Sequence, residues 1–463
     1  MPEEKSGKSG RRPEKRRGTL SAKARDTAGD AARRAVLRLL KAVNGRRARR
    51  ASAPDTATVR ILLQHAYGMG GTIRTVLNLA GYLARERDVE IVSVVRAAEE
   101  PFFPIPEGVR VSFLDDRTRP RGWIARLLSR LPSVLVPKQE NVYHSLTLWT
   151  DLRLAAFLRS LRGGVLISTR PGFNLVTALL APPDVLTIGQ EHVALDVHSP
   201  EVRRLIRRRY GRLDAFVTLT RADLDQYAEA LRADPPRRLL RIPNAVPDLA
   251  GGVSALEERC VVAIGRLVRA KGFDRLVTAW EHVAAAHPDW VLRVYGGGTE
   301  KAERRLRARI EDAGLADRVL LMGSSPEIGV ELAKSSIYVV SSRYEGFGMT
   351  ILEAMSKGVP VVSFDCPHGP GEIITHGHDG LLVRPQRPVA LAEAVCRLIE
   401  DRELRAGLGR NAVRTASGYG LDAVGARWDA LLADLVRPRA GVTVPALLGG
   451  VEARATGMEV KLR

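Results

Sequence analysis

Residues 337–364 read IYVVSSRYEGFGMTILEAMSKGVPVVSF and hold the pattern of one strand–helix–strand unit. The β-branched apolar runs at both ends suit parallel strands that are buried on both faces of a sheet. Between them, Gly346 and Gly348 predict a tight turn into a short helix, and Gly358 followed by Pro360 predicts where that helix ends. We therefore expect one helix that connects two parallel strands.

The same alternation of strand and helix patterns recurs along most of the chain, in two series. Predicted strands of the first series lie at 58–64, 89–95, 109–114, 164–168, 185–189 and 215–219, and those of the second at 260–265, 291–295, 318–322, 337–342 and 359–364. Between the two series, residues 242–258 contain two prolines and a glycine pair that break both periodicities. The sequence therefore predicts an α/β protein with two doubly wound, Rossmann-like domains.

These patterns divide the 463 residues into five parts. The expected parts are a basic tail with no predicted fold at 1–55, a first domain at 56–248, a second domain at 249–420, a helix at 421–437 and a tail at 438–463. The helix at 421–437 carries apolar residues at helical spacing, so we expect it to bury that stripe toward the first domain.

The formal net charge of +20 is concentrated at the N-terminus, where residues 1–55 hold 17 Lys and Arg against 6 Asp and Glu. Within this tail, AARRAVLRLLKAV (31–43) has the pattern of a basic helix on an anionic membrane surface. A disordered tail, or a helix docked on the protein's own body, fits equally well. Nucleic acid is a less favoured partner, because the tail has no aromatic residue to stack on bases.

Cysteine usage and hydropathy point to a cytoplasmic protein. The 3 cysteines lack the spacing of a metal site or a disulfide framework. No apolar run is long enough to span a bilayer, and the N-terminus has no secretory apolar segment. Peripheral contact with the inner face of the plasma membrane stays open.

The strand-to-helix loops are where a ligand is expected, because open parallel sheets bind ligands beyond the carboxyl ends of their strands. Arg266 and Lys271 lie in the loop before a helix that begins near Phe273. Both cations oppose the dipole of that helix, so a bound anion such as a diphosphate would relieve the repulsion. The alternative is a pair of solvated loop charges.

Glycine turns and carboxylates mark further candidate positions. Gly71 opens the first helix of the first domain, where phosphate contact and plain turn chemistry are equally compatible with it. Gly348 opens the helix within residues 337–364 in the same way. Glu353 has an alternative explanation, since Thr350 would form a helix-capping box with it. That explanation does not extend to Glu345, which lies beside the glycine turn, where its carboxylate can accept a hydrogen bond from a sugar hydroxyl.

Two polar loops complete the candidate site. His192 follows the strand at 185–189, and although a lone histidine is more often structural, this one lies at the ligand edge of the sheet. The loop YGGGTE (295–300), which contains Gly297, lies at the corresponding edge of the second sheet.

Three stretches resemble the retaining nucleotide-sugar glycosyltransferases of family 4, whose GT-B fold has two Rossmann-like domains facing across a cleft. They are GRLVRAKGFDRLV (265–277), YGGGTE (295–300) and SRYEGFGMTILEAMSKGVPVVSFDCPHGPGEII (342–374). The resemblance covers about residues 58–436 and is most specific in the second half, where Glu345 and Glu353 match the family's E-x7-E arrangement.

The resemblance also implies roles for single residues. Arg266 and Lys271 would hold the donor diphosphate, with Gly71 near the phosphates. Glu353 would bind the ribose hydroxyls, and His192 would lie near the reacting face of the sugar. Glu345 and the backbone N–H groups near Phe347, Gly348 and Met349 would hold the transferred sugar. Gly297, in the YGGGTE stretch, is a further candidate for binding the donor.

The implied reaction moves a hexose from a nucleotide diphosphate sugar, with a UDP-sugar favoured, to a cell-envelope glycan, a lipid-linked acceptor or an anionic polyol-phosphate. Neither a metal nor a cofactor beyond the donor is implied. The arginine-rich pattern at 201–213 is either a solvated helix face or a contact for such an anionic acceptor. Two other hypotheses stay open: a nucleotide-sugar epimerase of the same architecture, and a basic membrane or nucleic-acid binding protein whose domains are scaffold.

Overall fold

A computed structural model describes residues 55–437 of the protein, and these form two parallel β-sheets. The helix pattern at 31–43 and the tail at 438–463 lie outside the described residues. Each sheet is covered on both faces, as β1 (Thr58–Leu63) illustrates: Ile61 packs into one apolar cluster and Leu62 into another on the opposite face. The predicted class, an α/β protein with two Rossmann-like domains, is confirmed.

The first sheet has the strand order β3-β2-β1-β4-β5-β6-β7, with every pair parallel. Its elements in chain order are β1, α1 (Gly71–Leu83), β2 (Asp88–Arg96), β3 (Val109–Asp116), α2 (Trp123–Leu128), α3 (Leu148–Ser160), β4 (Val165–Ser168), α4 (Pro171–Leu180), β5 (Leu186–Gln190), α5 (Pro200–Arg209), β6 (Ala215–Thr218), α6 (Arg221–Ala230) and β7 (Arg238–Arg241).

The second sheet has the order β10-β9-β8-β11-β12-β13, again parallel throughout. Its elements are β8 (Cys260–Ile264), α7 (Phe273–Ala286), β9 (Val291–Tyr295), α8 (Glu300–Asp312), β10 (Val319–Gly323), α9 (Ile328–Ala333), β11 (Ile337–Val340), α10 (Met349–Ser356), β12 (Val361–Phe364), α11 (Pro370–Ile373), β13 (Gly380–Val383), α12 (Pro388–Glu400) and α13 (Arg402–Ser417).

Two strands escaped prediction for a common reason. β7 reads RLLR and all its residues are partly exposed, while β13 is short and begins with Gly380. Neither contains the buried β-branched run on which the other strand predictions depended. The strand–helix–strand unit at 337–364 does form as predicted, with β11 and β12 paired and α10 between them.

The last helix, α14 (Leu421–Val436), follows the second domain in sequence but packs on α1 of the first. Trp428 is 2% exposed and belongs to the same apolar cluster as Ile61. The crossing is close because residue 425 is glycine: a Cβ there would lie 2.3 Å from the Tyr82 ring. Tyr82 also donates a 2.7 Å hydrogen bond to Asp429. The chain thus crosses between the domains twice.

Ion pairs also join the facing edges of the two domains. His368 of the second domain lies 3.1 Å from Asp223 and 3.7 Å from Asp196 of the first. Arg241 and Glu372 form another such pair at 3.1 Å. Among residues 55–437, no helix combines the length and the apolar character needed to cross a bilayer.

Candidate functional site

An open pocket of about 170 Å³ lies between the two domains, at the carboxyl ends of the central strands. In both sheets the strand order reverses beside the first strand, β1 or β8, which is where doubly wound proteins bind ligands. The first domain contributes Met69, Gly70, Gly71, Arg74, Phe102 and Phe103 to the wall, and the second contributes Ile264, Gly265, Arg266, Tyr295, Gly296, Gly297, Ser324, Ser325, Ile328, Met349, Thr350 and Glu353.

Glu353 and Arg74 meet across this pocket. Glu353 is 3% exposed on α10, and its Oε1 lies 3.0 Å from Nη1 of Arg74 on α1. Burial raises the pKa of the Glu353 carboxyl, and the charges of Arg74 and Lys271 oppose that rise. The alternative explanation of Glu353 as half of a capping box is wrong, because α10 begins at Met349 and is capped by Gly348 without a side-chain hydrogen bond.

The two predicted cations occupy different positions. Arg266 is exposed on the pocket wall, and within residues 55–437 its guanidinium has no hydrogen-bond or ion-pair partner. Lys271 closes a short turn before α7 begins at Phe273, and its side chain packs against Gly265, the neighbour of Arg266 in the wall. An exposed, unpaired cation at the mouth of a cleft is suited to an anionic ligand.

Lys271 is paired with Glu345. The lysine Nζ donates to both carboxylate oxygens of Glu345, at 2.7 and 2.9 Å, and Ser342 Oγ donates to one of them at 2.6 Å. Neither Lys271 nor Glu345 lines the pocket itself; both lie behind the wall that Gly265 forms. The sequence led us to expect a separate diphosphate cation and sugar carboxylate, whereas the two side chains form an ion pair in which Glu345 is buried and the Lys271 side chain is 22% exposed.

The Gly346–Gly348 turn brings the start of α10 to the pocket. Gly348 has a left-handed φ of 98° and caps the helix without a side-chain hydrogen bond to the first N–H groups of α10. Met349 and Thr350 line the pocket at this helix end. Phe347 turns its ring away, 4% exposed and 6.1 Å from the Tyr419 ring, which leaves its backbone as the part near the turn.

The backbone of His192, in the first domain, contacts the second domain at Gly346 of the same turn. A Cβ at Gly346 would lie 2.6 Å from the His192 carbonyl oxygen, so this close approach requires glycine. Burial, helped by the charge of Arg170, lowers the pKa of the His192 imidazole to about 3. Its buried Nε2 has no hydrogen-bond partner among the described residues. His192 is thus a neutral side chain beside the Gly346–Gly348 turn, although it does not line the pocket.

Of the first domain's share of the wall, the sequence indicated Gly71 but not Arg74, Phe102 or Phe103. Arg74 follows Gly71 by one helical turn, and its guanidinium lies 5.7 Å from the Phe103 ring centre. Phe102 and Phe103 form an edge-to-face pair with ring centres 4.9 Å apart. The spacing of Arg74 after the glycine turn was a usable signal, but the aromatic pair follows β2 in a loop without any periodic pattern.

The assembled pocket combines an unpaired arginine, a buried carboxylate, open helix N–H groups and aromatic rings. Such a site can hold a molecule with phosphate, hydroxyl and planar groups. Among the described residues, no cluster of three or more His, Cys, Asp or Glu side chains is arranged to hold a metal ion.

Residues 251–415 match the protein family described as Glycosyl transferases group 1. This part of the chain is a glycosyltransferase group 1 domain. Arg266, Lys271, Glu345 and Glu353 all lie within the matched residues, and Arg74 and His192 face the group 1 domain from the first domain.

Known proteins resemble the chain beyond the group 1 domain. It is 36% identical over 393 residues to an exopolysaccharide phosphotransferase of Streptomyces coelicolor, covering 82% of this chain but only 41% of that protein. It is 26% identical over 384 residues to the amylovoran biosynthesis glycosyltransferase AmsD of Erwinia amylovora, covering 80% of this chain and 98% of that one.

A solved structure establishes the fold that contains the group 1 domain. A TarM mutant of S. aureus, in complex with fondaparinux, alpha-GlcNAc-glycerol and UDP, superposes with a TM-score of 0.67. The alignment covers 81% of this chain and 100% of that chain at 15% identity, so the likeness is one of fold. Together with the two parallel sheets, it shows that the chain has the GT-B fold.

Proposed function

We propose that the protein is a retaining glycosyltransferase of family 4 that moves a hexose from a nucleotide diphosphate sugar to a cell-envelope acceptor. The observation that carries the proposal is the convergence of Arg266, Glu353 and the open end of α10 on one pocket between the domains. The pocket combines groups suited to the diphosphate, the ribose and the sugar of such a donor.

Arg266 and Lys271 are assigned to the diphosphate. When the bond from the sugar to the diphosphate breaks, negative charge grows on the departing oxygen, and fixed cations stabilise it without reorganising. Arg266 already faces the pocket unpaired. Lys271 is held by Glu345 at 2.7 Å, so a bound diphosphate would share the ammonium with that carboxylate.

Glu353 is assigned to the ribose hydroxyls. A buried carboxylate is stable when hydrogen bonds or a countercharge compensate its desolvation. Arg74 supplies the countercharge at 3.0 Å, and hydroxyl groups of the nucleotide would add donors. The aromatic pair Phe102 and Phe103 lies on the same wall.

The transferred sugar is assigned to Glu345 and the Gly346–Gly348 turn that follows it. Glu345 and the backbone of Phe347, Gly348 and Met349 lie where the turn enters α10, and Gly71 and Gly297 line the pocket on either side of the cleft. His192 brings a neutral imidazole to this turn, and its unpartnered Nε2 is suited to a sugar hydroxyl.

In the proposed step, the bond between the anomeric carbon and the diphosphate oxygen breaks, and the acceptor oxygen bonds to that carbon on the same face. The proton of the acceptor hydroxyl passes to the departing diphosphate, which is released as a nucleoside diphosphate. The protein's own contribution is to orient both substrates and to stabilise the charge of the leaving group. The proposal assigns no step to a metal ion.

A UDP-sugar donor and a glycan, lipid-linked or polyol-phosphate acceptor are the favoured substrates. Support comes from relatives whose names refer to exopolysaccharide and amylovoran, and from a fold relative solved with UDP and alpha-GlcNAc-glycerol. Such acceptors are assembled at membranes, so we also propose that the protein acts in the cytoplasm at the inner face of the plasma membrane. The net charge of +20 favours attraction to anionic lipid.

A panel of UDP- and GDP-sugars, incubated with the full chain with and without glycan and polyol-phosphate acceptors, tests the proposal by mass spectrometry. We expect transfer from one donor, a product whose anomeric configuration by NMR equals that of the donor, and loss of transfer in Arg266→Ala. Arg304→Ala, an exposed arginine on α8, is the matched control. An epimerised nucleotide sugar formed without acceptor would instead identify an epimerase, and an inverted product would contradict retention.

A further inference from the structure

Helix α2 and the residues after it expose an apolar surface that a soluble protein would ordinarily bury. Trp123 is 74% exposed, Ile124 49%, Leu127 53% and Leu131 47%, while the small Ala125 faces inward at 7%. The amphipathic pattern is thus inverted, with the large apolar side chains on the outer face. We call Trp123, Ile124, Leu127 and Leu131, together with Arg126 and Arg130, the α2 surface.

The charge of this region is of one sign. Residues 117–139 contain six Lys and Arg and no Asp or Glu. The carboxylates that flank this stretch, Asp115, Asp116 and Glu140, are already paired, with Arg117 at 2.9 Å, Arg96 at 3.3 Å and Arg170 at 3.3 Å respectively. Arg126 donates to the Arg121 carbonyl at 2.8 Å, and neither Arg126 nor Arg130 has a carboxylate partner among residues 55–437.

That charge decides which occupant fits the α2 surface. The segments of this chain outside residues 55–437 are both positively charged, since residues 1–54 hold 17 cations against 5 carboxylates and residues 438–463 hold 4 against 2. A second copy docking through the same face would set arginine against arginine. An anionic partner with an apolar interior is complementary, and an aromatic ring flanked by aliphatic side chains and arginines is typical of a lipid–water interface.

We propose that the α2 surface docks on an anionic lipid bilayer, with Trp123, Ile124 and Leu127 inserted among the acyl chains and Arg126 and Arg130 at the headgroups. The apolar side chains gain by leaving water, and the arginine stems extend so that the guanidinium groups stay in the polar layer. Membrane contact is part of the proposed function; the new element is the surface that makes it.

The position of α2 fits an acceptor drawn from that bilayer. α2 follows β3, the edge strand of the first sheet, at the carboxyl edge where the Gly71 loop and the pocket also lie. A protein docked through α2 therefore keeps this edge of the first domain toward the membrane. A lipid-linked acceptor can then enter the cleft without leaving the bilayer.

Co-sedimentation of the full chain with vesicles tests the proposal. One vesicle population is phosphatidylcholine alone, and the other is an equal mixture of phosphatidylcholine and phosphatidylglycerol. We expect binding to the anionic vesicles, weakened about fivefold by each of Arg126→Gln and Arg130→Gln. The combined variant Trp123→Ser, Ile124→Ser, Leu127→Ser is expected to bind still more weakly. Val389→Ser, which changes an apolar residue 48% exposed in the second domain, is the matched control and is expected to bind as wild type.

Tryptophan emission separates binding through the α2 surface from binding through the N-terminal segment, whose positive charge attracts the same vesicles in every variant. Trp123 is expected to shift to the blue on anionic vesicles and to be quenched by brominated acyl chains, with both effects absent in Trp123→Phe. Vesicle binding without shift or quenching, or equal binding by the combined variant, would overturn the proposal. The proposal would also be overturned if the combined variant bound a single-stranded oligonucleotide more weakly than wild type but bound vesicles equally well. Sugar transfer to a water-soluble acceptor tests the proposed enzymatic function separately. We expect the combined variant to catalyse this transfer at the wild-type rate.

Discussion

Arg74 of the first domain forms an ion pair with Glu353 of the second, with 3.0 Å between Nη1 and Oε1, on the wall of the interdomain pocket. Glu353 is the more buried of the two, with 4% of its side chain exposed against 20% for Arg74. The ionised form of the Glu353 carboxyl is therefore stabilised by a cation from the other domain. This pair links the ionisation of the proposed ribose-binding group to the relative position of the two domains.

Arg74→Ala is expected to raise the pKa of Glu353 further, because burial already raises it and Arg74 is the largest opposing charge. If ribose binding needs the carboxylate, donor affinity falls as the pH drops through this pKa. In Arg74→Ala that fall should begin at a higher pH, and Arg74→Lys should restore much of the wild-type profile. Isothermal titration of the donor across pH measures the shift. Arg110→Ala, in an exposed pair with Asp88, is the control; an unchanged profile in Arg74→Ala would contradict the coupling.

His368 is expected to stabilise the folded protein at low pH. Its ion pair with Asp223 raises the pKa above 6.5 despite partial burial, and Asp196 adds to the effect. The folded state therefore holds the proton more tightly than the unfolded state. The stabilisation is fully present below pH 6.5 and is lost as the pH rises through the raised pKa.

Urea unfolding of wild type and His368→Gln at several pH values measures this effect. The difference in unfolding free energy should be largest at acid pH and shrink at alkaline pH. His282→Gln, on an exposed part of α7, should show no such trend. A difference that grows with pH would mean that the neutral imidazole is the stabilising form.

Trp428 fixes the last helix on the first domain. Trp428→Ala is expected to cost about 3–5 kcal/mol, because it leaves a large cavity in a cluster that also contains Ile61. Trp123→Ala, which removes the same side chain from an exposed position, is expected to change stability by no more than about 0.5 kcal/mol. Comparable losses in the two variants would contradict the packing described for α14.

Metal removal is expected to leave transfer intact. In the proposed reaction, Arg266, Lys271 and the N–H groups at the start of α10 would supply the positive charge that a leaving diphosphate needs. Dialysis against a chelator, followed by the transfer assay in chelator, should give the untreated rate. Loss of activity that is restored by a divalent ion would show that these groups are insufficient.

The sequence predicted the elements better than it predicted their pairings. Buried β-branched runs identified eleven of the thirteen strands among the described residues, and the carboxyl ends of those strands placed Arg266 and Glu353 at one edge, where both line the pocket. Pairings that cross the domain boundary left no local pattern. Nothing near Glu353 in sequence indicates Arg74, and the helix-capping explanation failed because Gly348, with a φ of 98°, caps the helix instead.

The Lys271–Glu345 pair illustrates the same limit. Each residue was predicted from its own loop, as a diphosphate cation and as a sugar ligand. Their 2.7 Å contact depends on how the loop after β8 packs against the turn after β11. Local spacing identifies charged groups that need a partner, but only the packed sheet decides which partner each one has.

We propose that the interdomain pocket binds a nucleotide diphosphate sugar through Arg266 on its wall and through Lys271, which packs behind Gly265 of that wall. Isothermal titration of UDP- and GDP-sugars into wild type, Arg266→Ala, Lys271→Ala and the exposed control Lys301→Ala tests it most directly, with thermal melts to confirm that each variant is folded. We expect one donor to bind wild type and Lys301→Ala equally, and to bind Arg266→Ala and Lys271→Ala about 10- to 100-fold more weakly. Failure of every donor to bind, or equal binding by all four proteins, would contradict it.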